Sequence, residues 1–192
     1  MSAFTLIPNQ TILLIIDMQE KVLPVVDRGA QILHMLLKAV KGFQILDLPI
    51  LLSEQYPEGL GQTVFSLASL LDQSYHPWIK STFSCLDDPA FFNYALSIPY
   101  QQWIVAGIEA HVCVLQTVKG LLKLGKQVVV LNDAIGSRSI DNFLTAIAEM
   151  RDEGARMSSV ETILFELLKD SKHPHFKTMS NLIKASCSSC QS

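Results

Sequence analysis

Three residues of this 192-residue chain carry side chains suited to covalent chemistry and stand at or near strand ends: Asp17, Lys80 and Cys113. A carboxylate beside a thiol can take its proton, and an ammonium nearby stabilises the thiolate while keeping the carboxylate ionised. The thiolate attacks a carbonyl carbon to give a thioester, which water hydrolyses. Main-chain N–H groups at the start of a helix stabilise the oxyanion, at about 3–4 kcal/mol per donor. Taken singly, the same residues also have plain structural readings. A cysteine between Val112 and Val114 reads equally as a small core hydrophobe, an aspartate after an apolar strand as a turn residue, and a single lysine as a surface charge.

The positions of the three follow from the elements around them. Thr11-Ile12-Leu13-Leu14-Ile15-Ile16 is an unbroken apolar run ending at Asp17, the pattern of a strand buried on both faces. A helix over Gly29 to Leu46 has Ile32, Leu33, Leu36, Leu37, Val40 and Phe43 at helical spacing. Pro49-Ile50-Leu51-Leu52 reads as a short strand, and Ser53 to Gly61 as a loop. Residues His76 to Phe83 form an extended segment carrying Lys80, and Asp88-Pro89 opens a helix through Leu96. The strand from Trp103 turns at Gly107 into a helix over Ala110 to Leu124, which places Cys113 near its positive end. Gln127 to Leu131 is a strand with Asn132-Asp133-Ala134 at its end, followed by a helix over Ile140 to Glu153. A short strand near Ala155 to Met157 leads to Ser158 and Glu161, spaced as a capping box before a helix over Thr162 to Leu168, and a last helix covers Phe176 to Ala185. Alternation of this kind indicates one α/β domain with a mostly parallel sheet, over residues 1–186, before a Ser/Cys-rich tail at 187–192. Strand ends in such a sheet converge on one rim, where ligands bind.

Several function classes are disfavoured. Apolar residues make up 49% and charged residues 17%, so much surface is buried, inside the subunit or between subunits, and a homo-oligomer (dimer or larger) is expected. The formal charge of −3 gives no sign of a nucleic-acid partner. No apolar run is long enough to span a bilayer, and the N-terminus shows no secretory signal, so the expected setting is cytoplasmic with reduced thiols and no membrane partner. The turn after the first strand, Asp17-Met18-Gln19-Glu20, has no glycine to admit a pyrophosphate, which argues against a dinucleotide cofactor. Cys187 and Cys190 lie in the terminal tail and read as a frayed end.

Longer motifs sharpen the picture. Ile15-Ile16-Asp17-Met18-Gln19 with Glu20-Lys21, Ser53 to Gly61, Lys80-Ser81-Thr82-Phe83-Ser84, Val105 to Val114, Asp133-Ala134 with Ser137-Arg138-Ser139, and the segments Glu161 to Leu168 and His173 to Lys177 together resemble the isochorismatase-like hydrolase family over about residues 8 to 185. The nearest likeness is to isochorismatase-domain proteins without a defined substrate. The resemblance implies a three-layer α/β/α sandwich, Rossmann-like, around a six-stranded mostly parallel sheet. It implies an Asp–Lys–Cys triad at Asp17, Lys80 and Cys113, a cis peptide at Ile108–Glu109, and an oxyanion hole from the N–H groups of Glu109 and Cys113. Gln19, Tyr56, Phe83 and His111 are candidate pocket residues, and His111 also reads as structural.

Within the family, nicotinamidases hold a metal through an Asp-x-His…His pattern after the second strand. This chain has Ser53-Glu54-Gln55-Tyr56-Pro57 there, so neither a metal nor another cofactor is expected. Isochorismatases that cleave a vinyl ether lack the cysteine. The expectation is therefore a metal-independent cysteine hydrolase acting on a small amide- or carbamoyl-type molecule. The alternatives are a non-catalytic interaction protein that keeps the fold and a vinyl-ether hydrolase. The aromatic often found five residues after the triad aspartate is replaced by Val22.

Overall fold

A computed structural model describes residues 4–185. The strands are β1 (Thr11–Ile16), β2 (Ile50–Gln55), β3 (Trp78–Lys80), β4 (Gln102–Ile108), β5 (Gln127–Gly136) and β6 (Arg156–Ser158). The α-helices are α1 (Gly29–Ile45), α2 (Pro57–Leu60), α3 (Phe65–Leu71), α4 (Pro89–Ser97), α5 (Leu115–Lys123), α6 (Ile140–Asp152), α7 (Val160–Leu168) and α8 (Phe176–Lys184). The strands form one six-stranded sheet in the order β3-β2-β1-β4-β5-β6, and every pairing is parallel. The tail at 187–192, with Cys187 and Cys190, lies outside the described residues. No helix among the described residues is long and apolar enough to cross a membrane.

The unbroken hydrophobicity of β1 has a direct physical cause. Successive side chains of a strand point to opposite faces, and both faces of this sheet are covered. Leu13 and Ile15 join one core with Ile104, Ala106, Val129 and Leu131, under α1, α3, α7 and α8. Ile12, Leu14 and Ile16 join a second core with Trp103, Val105, Val128 and Val130, under α4, α5 and α6. The result is the three-layer sandwich. Trp103 is fully buried and, at 6.4 Å between ring centroids, packs near Phe91 of α4, which meets Trp78 edge-on at 5.3 Å.

Several boundaries differ from the sequence reading. β2 continues through Ser53 to Gln55, because the buried Ser53 and Glu54 side chains and the Gln55 N–H find partners at the strand end. The helix expected from Ala110 begins as a π-helical turn over Ala110–Val114 before α5. β5 runs on through Asn132-Asp133-Ala134 to Gly136, after a register shift opposite Val105 and Gly107 of β4. The expected capping box is replaced by another cap. Ser158 ends β6, and Ser159 caps α7 by accepting from the Thr162 N–H, while the Asp133 carboxylate accepts from the Val160 N–H at 3.0 Å. At α4 the cap is the expected one, with Asp88 accepting from the Phe91 N–H at 2.8 Å ahead of Pro89.

Candidate active site

Asp17 is the first residue past β1 and adopts a left-handed backbone at φ 51°. Parallel pairing sets Ile16 of β1 opposite Ser53 of β2, which brings Ser53 beside the next residue, Asp17. The Ser53 hydroxyl donates to Asp17 Oδ1 at 2.7 Å. Lys80, the last residue of β3, lies two strands away, and its Nζ donates to Asp17 Oδ2 at 2.7 Å. The same ammonium donates to Gln55 Oε1 at 2.8 Å and to the carbonyls of Thr82 and Phe83 at 3.3 and 3.4 Å. Both members of the ion pair are buried, with side-chain exposures of 0% and 3%. Burial pulls the Lys80 pKa down, but the Asp17 charge and hydrogen bond, together with the Cys113 and Cys85 thiols nearby, hold the lysine above its ordinary value.

Cys113 arrives from the other side of β1. β4 lies against β1 so closely that Gly107, at φ 121°, has no room for a side chain: a Cβ there would meet the Ile16 carbonyl oxygen at 2.0 Å. The Ile108–Glu109 peptide is cis, and the π-helical turn follows. The Glu109 carbonyl accepts from the Val112 N–H at 3.1 Å and the Val114 N–H at 3.3 Å, passing over the Cys113 N–H between them. The Cys113 thiol lines the same cavity as Asp17 and lies within electrostatic reach of both the Asp17 carboxylate and the Lys80 ammonium. Asp17, Lys80 and Cys113 therefore meet at one rim of the sheet.

The thiol's protonation differs from what its helix-start position led us to expect. Burial, then the neighbouring Asp17 charge, raise the Cys113 thiol well above the usual thiol range, and Lys80 opposes this only in part. The resting arrangement is a neutral thiol beside an Asp17–Lys80 ion pair. Chemistry at this site needs proton transfer to Asp17 rather than a standing thiolate. A second thiol, Cys85, is fully buried, its backbone N–H donating to the Thr117 hydroxyl at 3.0 Å, and burial pushes the thiol up to about 11.

A cavity of about 310 Å³ opens over the cysteine. Asp17, Glu109, Cys113 and Phe83 line it, but Gln19, Tyr56 and His111 do not. Gln19 is a clamp instead: its side chain bonds the Gln55 N–H and the carbonyls of Gln55 and Gly61, fixing the end of β2 against the following loop. Tyr56 is 58% exposed. His111 Nδ1 faces the Ser137 hydroxyl at 3.0 Å, and its Nε2 lies 3.5 Å from the Asn142 amide at the start of α6. Sequence reasoning missed Ser53, Gln55, Val25 and Arg138. The signal for Ser53 was present, because it follows an apolar strand just as Asp17 does. Arg138 donates through its N–H and Nε to the Glu109 carboxylate at 2.9–3.2 Å, across the cavity mouth.

The donor set does not suit a metal. Gln55, in the Ser53 to Pro57 stretch, has its amide engaged by Lys80 and the Ser81 carbonyl. Among the described residues no group of three or more His, Cys, Asp or Glu side chains is gathered to hold an ion.

Comparison with known proteins bears on this geometry. The model of the isochorismatase domain family matches residues 11–162. Isochorismatase domain-containing protein 2A of Mus musculus is 38% identical over 180 residues, covering 93% of this chain and 85% of the mouse protein. The structure of MAR1 ribonuclease from Caenorhabditis elegans superposes with a TM-score of 0.89 at 34% identity, covering 95% of this chain and 94% of that one. The YcaC gene product of Escherichia coli, described as an octameric hydrolase of unknown specificity, shares the fold at a TM-score of 0.84 and 21% identity, covering 95% and 96% of the two chains.

Proposed function

We propose a function from one premise: the chain belongs to the isochorismatase domain family. The reading is a metal-independent cysteine hydrolase that cleaves the C–N bond of a small amide- or carbamoyl-type molecule. The observation that carries it is the Asp17 carboxylate, paired with the Lys80 ammonium and lining one cavity with the Cys113 thiol. As the substrate carbonyl reaches Cys113, the thiol proton passes to Asp17 and sulfur bonds to the carbonyl carbon. Lys80 keeps the carboxylate anionic until that moment and then balances the charge. The oxyanion falls to the N–H groups of Glu109 and Cys113, the second of which the Glu109 carbonyl passes over. The tetrahedral intermediate collapses with loss of the amine, which takes the proton from Asp17. Water, deprotonated by Asp17, then attacks the thioester carbonyl, the C–S bond breaks, the Cys113 sulfur takes the proton back from Asp17, and the acid leaves. Asp17 thus acts as base and acid in each of the two half-reactions, and no cofactor enters the scheme.

The test is a screen of small amides, ureas and carbamoyl compounds with Cys113→Ala as control, read by product release and by intact mass for an acyl adduct. The reading expects an adduct on Cys113 and loss of turnover in the variant. Turnover that survives Cys113→Ala refutes it, and a cellular phenotype that survives the substitution without any turnover favours an interaction protein instead. Because the C. elegans structure carries a ribonuclease name, single-stranded RNA belongs in the same screen.

We further propose a cytoplasmic homo-oligomer. The octameric description of the E. coli protein supports assembly, as do Ile140 and Leu144 on α6, which are 46% and 56% exposed. Light scattering at micromolar concentration tests it, and a monomer overturns it.

A further inference from the structure

The walls of the cavity say what kind of molecule it takes. Its apolar lining comes from Val22, Val25, Leu60, Phe83, Ile108 and Val112. Two of these, Val25 and Phe83, are more than half exposed, so apolar surface beside a buried thiol is left facing water. The charged lining residues are already engaged. Asp17 is paired with Lys80, Glu109 with Arg138, and the Lys21 ammonium donates to the Gly59 carbonyl at 2.9 Å. A substrate carboxylate or phosphate entering here would face the Asp17 and Glu109 carboxylates, whose charges already partner Lys80 and Arg138, whereas an apolar group covers surface that nothing else covers. At about 310 Å³ the space lies at the small end of small-molecule sites.

We infer that the site selects small, uncharged substrates with an apolar body, which packs against Val25 and Phe83 while the scissile carbonyl meets Cys113. This rests on the cysteine-hydrolase reading and narrows it, setting apolar amides apart from amides of anionic acids.

Alkylation of Cys113 reads this preference without requiring a known substrate. Three reagents are compared: 2-chloroacetamide, its N-isopentyl derivative, and its N-(2-carboxyethyl) derivative, which has nearly the isopentyl shape but carries a negative charge. In each case the Cys113 sulfur bonds to the methylene carbon, chloride leaves, and the thiol proton passes to Asp17 and then to solvent. Rates are followed by mass spectrometry and divided by those of the same reagents with free cysteine. Each buried methylene is worth about fourfold, so the isopentyl reagent is expected to outpace the carboxyethyl one by about tenfold or more. Val25→Lys, made at an exposed position and checked for folding by circular dichroism, is expected to reduce that ratio by about fivefold or more by adding a cation where the apolar wall stood. Phe83→Ser serves as a second variant and lowers the ratio through lost apolar surface. Normalised rates that are equal, or higher for the carboxyethyl reagent, overturn the apolar preference and leave the activated thiol standing. Failure of all three reagents to label Cys113 overturns both.

Discussion

Replacing Lys80 by methionine removes the cation and keeps most of the side-chain volume. Asp17 is then a buried carboxylate whose ion-pair partner, formerly at 2.7 Å, is gone and whose side chain is 3% exposed. Removing one member of a buried pair costs about 3–5 kcal/mol, because the remaining charge is left uncompensated. For a domain of this size that corresponds to a fall in Tm of roughly 6–20 °C. The pH dependence supplies the sharper check. In the variant the Asp17 charge stays buried without a counter-charge, and protonating a buried carboxylate removes that charge. The penalty is therefore expected in full at neutral and alkaline pH and is expected to shrink on acidification. In the unsubstituted protein the sign is set by Lys80, whose folded pKa is raised. Its contribution is complete below the ordinary lysine value and is lost only as pH rises through the raised one. Adding Asp17→Asn to Lys80→Met removes the orphaned charge, so the double variant is expected to be more stable than Lys80→Met alone at pH 7.5. Urea denaturation of the three proteins at several pH values measures all of this. A Lys80→Met protein within about 0.5 kcal/mol of the parent at pH 7.5, or one whose deficit grows on acidification, would refute the argument.

Two further substitutions probe how the site is held. Ser53→Ala removes a 2.7 Å hydrogen bond to Asp17 Oδ1; such bonds to buried charges are worth about 1.5–3 kcal/mol, so turnover of any substrate found in the screen should drop about tenfold or more and recover in Ser53→Thr. Gly107→Ala drives a methyl group into the Ile16 carbonyl at a φ of 121°, and a loss of more than about 4 kcal/mol, seen as poor soluble yield or a collapsed thermal transition, is expected from the clash between the two central strands.

The sequence was most informative where hydrophobicity was least interrupted. The run from Thr11 to Ile16 located β1 to the residue, and with it Asp17, because burial on both faces leaves no polar position inside the strand. Polar strand ends were hidden. Ser53, Glu54 and Gln55 looked like the start of a loop because Pro57, Gly59 and Gly61 follow closely. Their strand character depends on partners remote in sequence: Asp17 for Ser53, Thr63 and Tyr75 for Glu54, and Gln19 for Gln55. Lys80 could be singled out only through family resemblance, since nothing in His76 to Phe83 distinguishes a buried ammonium from a surface one. The same limit applied to the protonation of Cys113. A helix start and a nearby lysine both favour a thiolate, yet the depth of burial and the proximity of Asp17, which reverse the balance, are properties of the packed structure. Arg138 and Glu109 have no local signature at all, being joined across the ends of β4 and β5.

The register of the central strands has a consequence for synthesis. β1 is made early, but its neighbour on one side, β4, begins with Gln102, which sits opposite Thr11 across a separation of 91 residues. At ordinary translation speeds that interval lasts roughly 5–20 s. Throughout it, a six-residue segment buried at every position in the native protein has an unpaired edge. A ribosome-bound chain stalled before Gln102 would hold Asp17 and Lys80 without Cys113 and present its most apolar strand for pairing with other nascent chains. The step that brings the thiol to the ion pair is thus the same step that closes this edge.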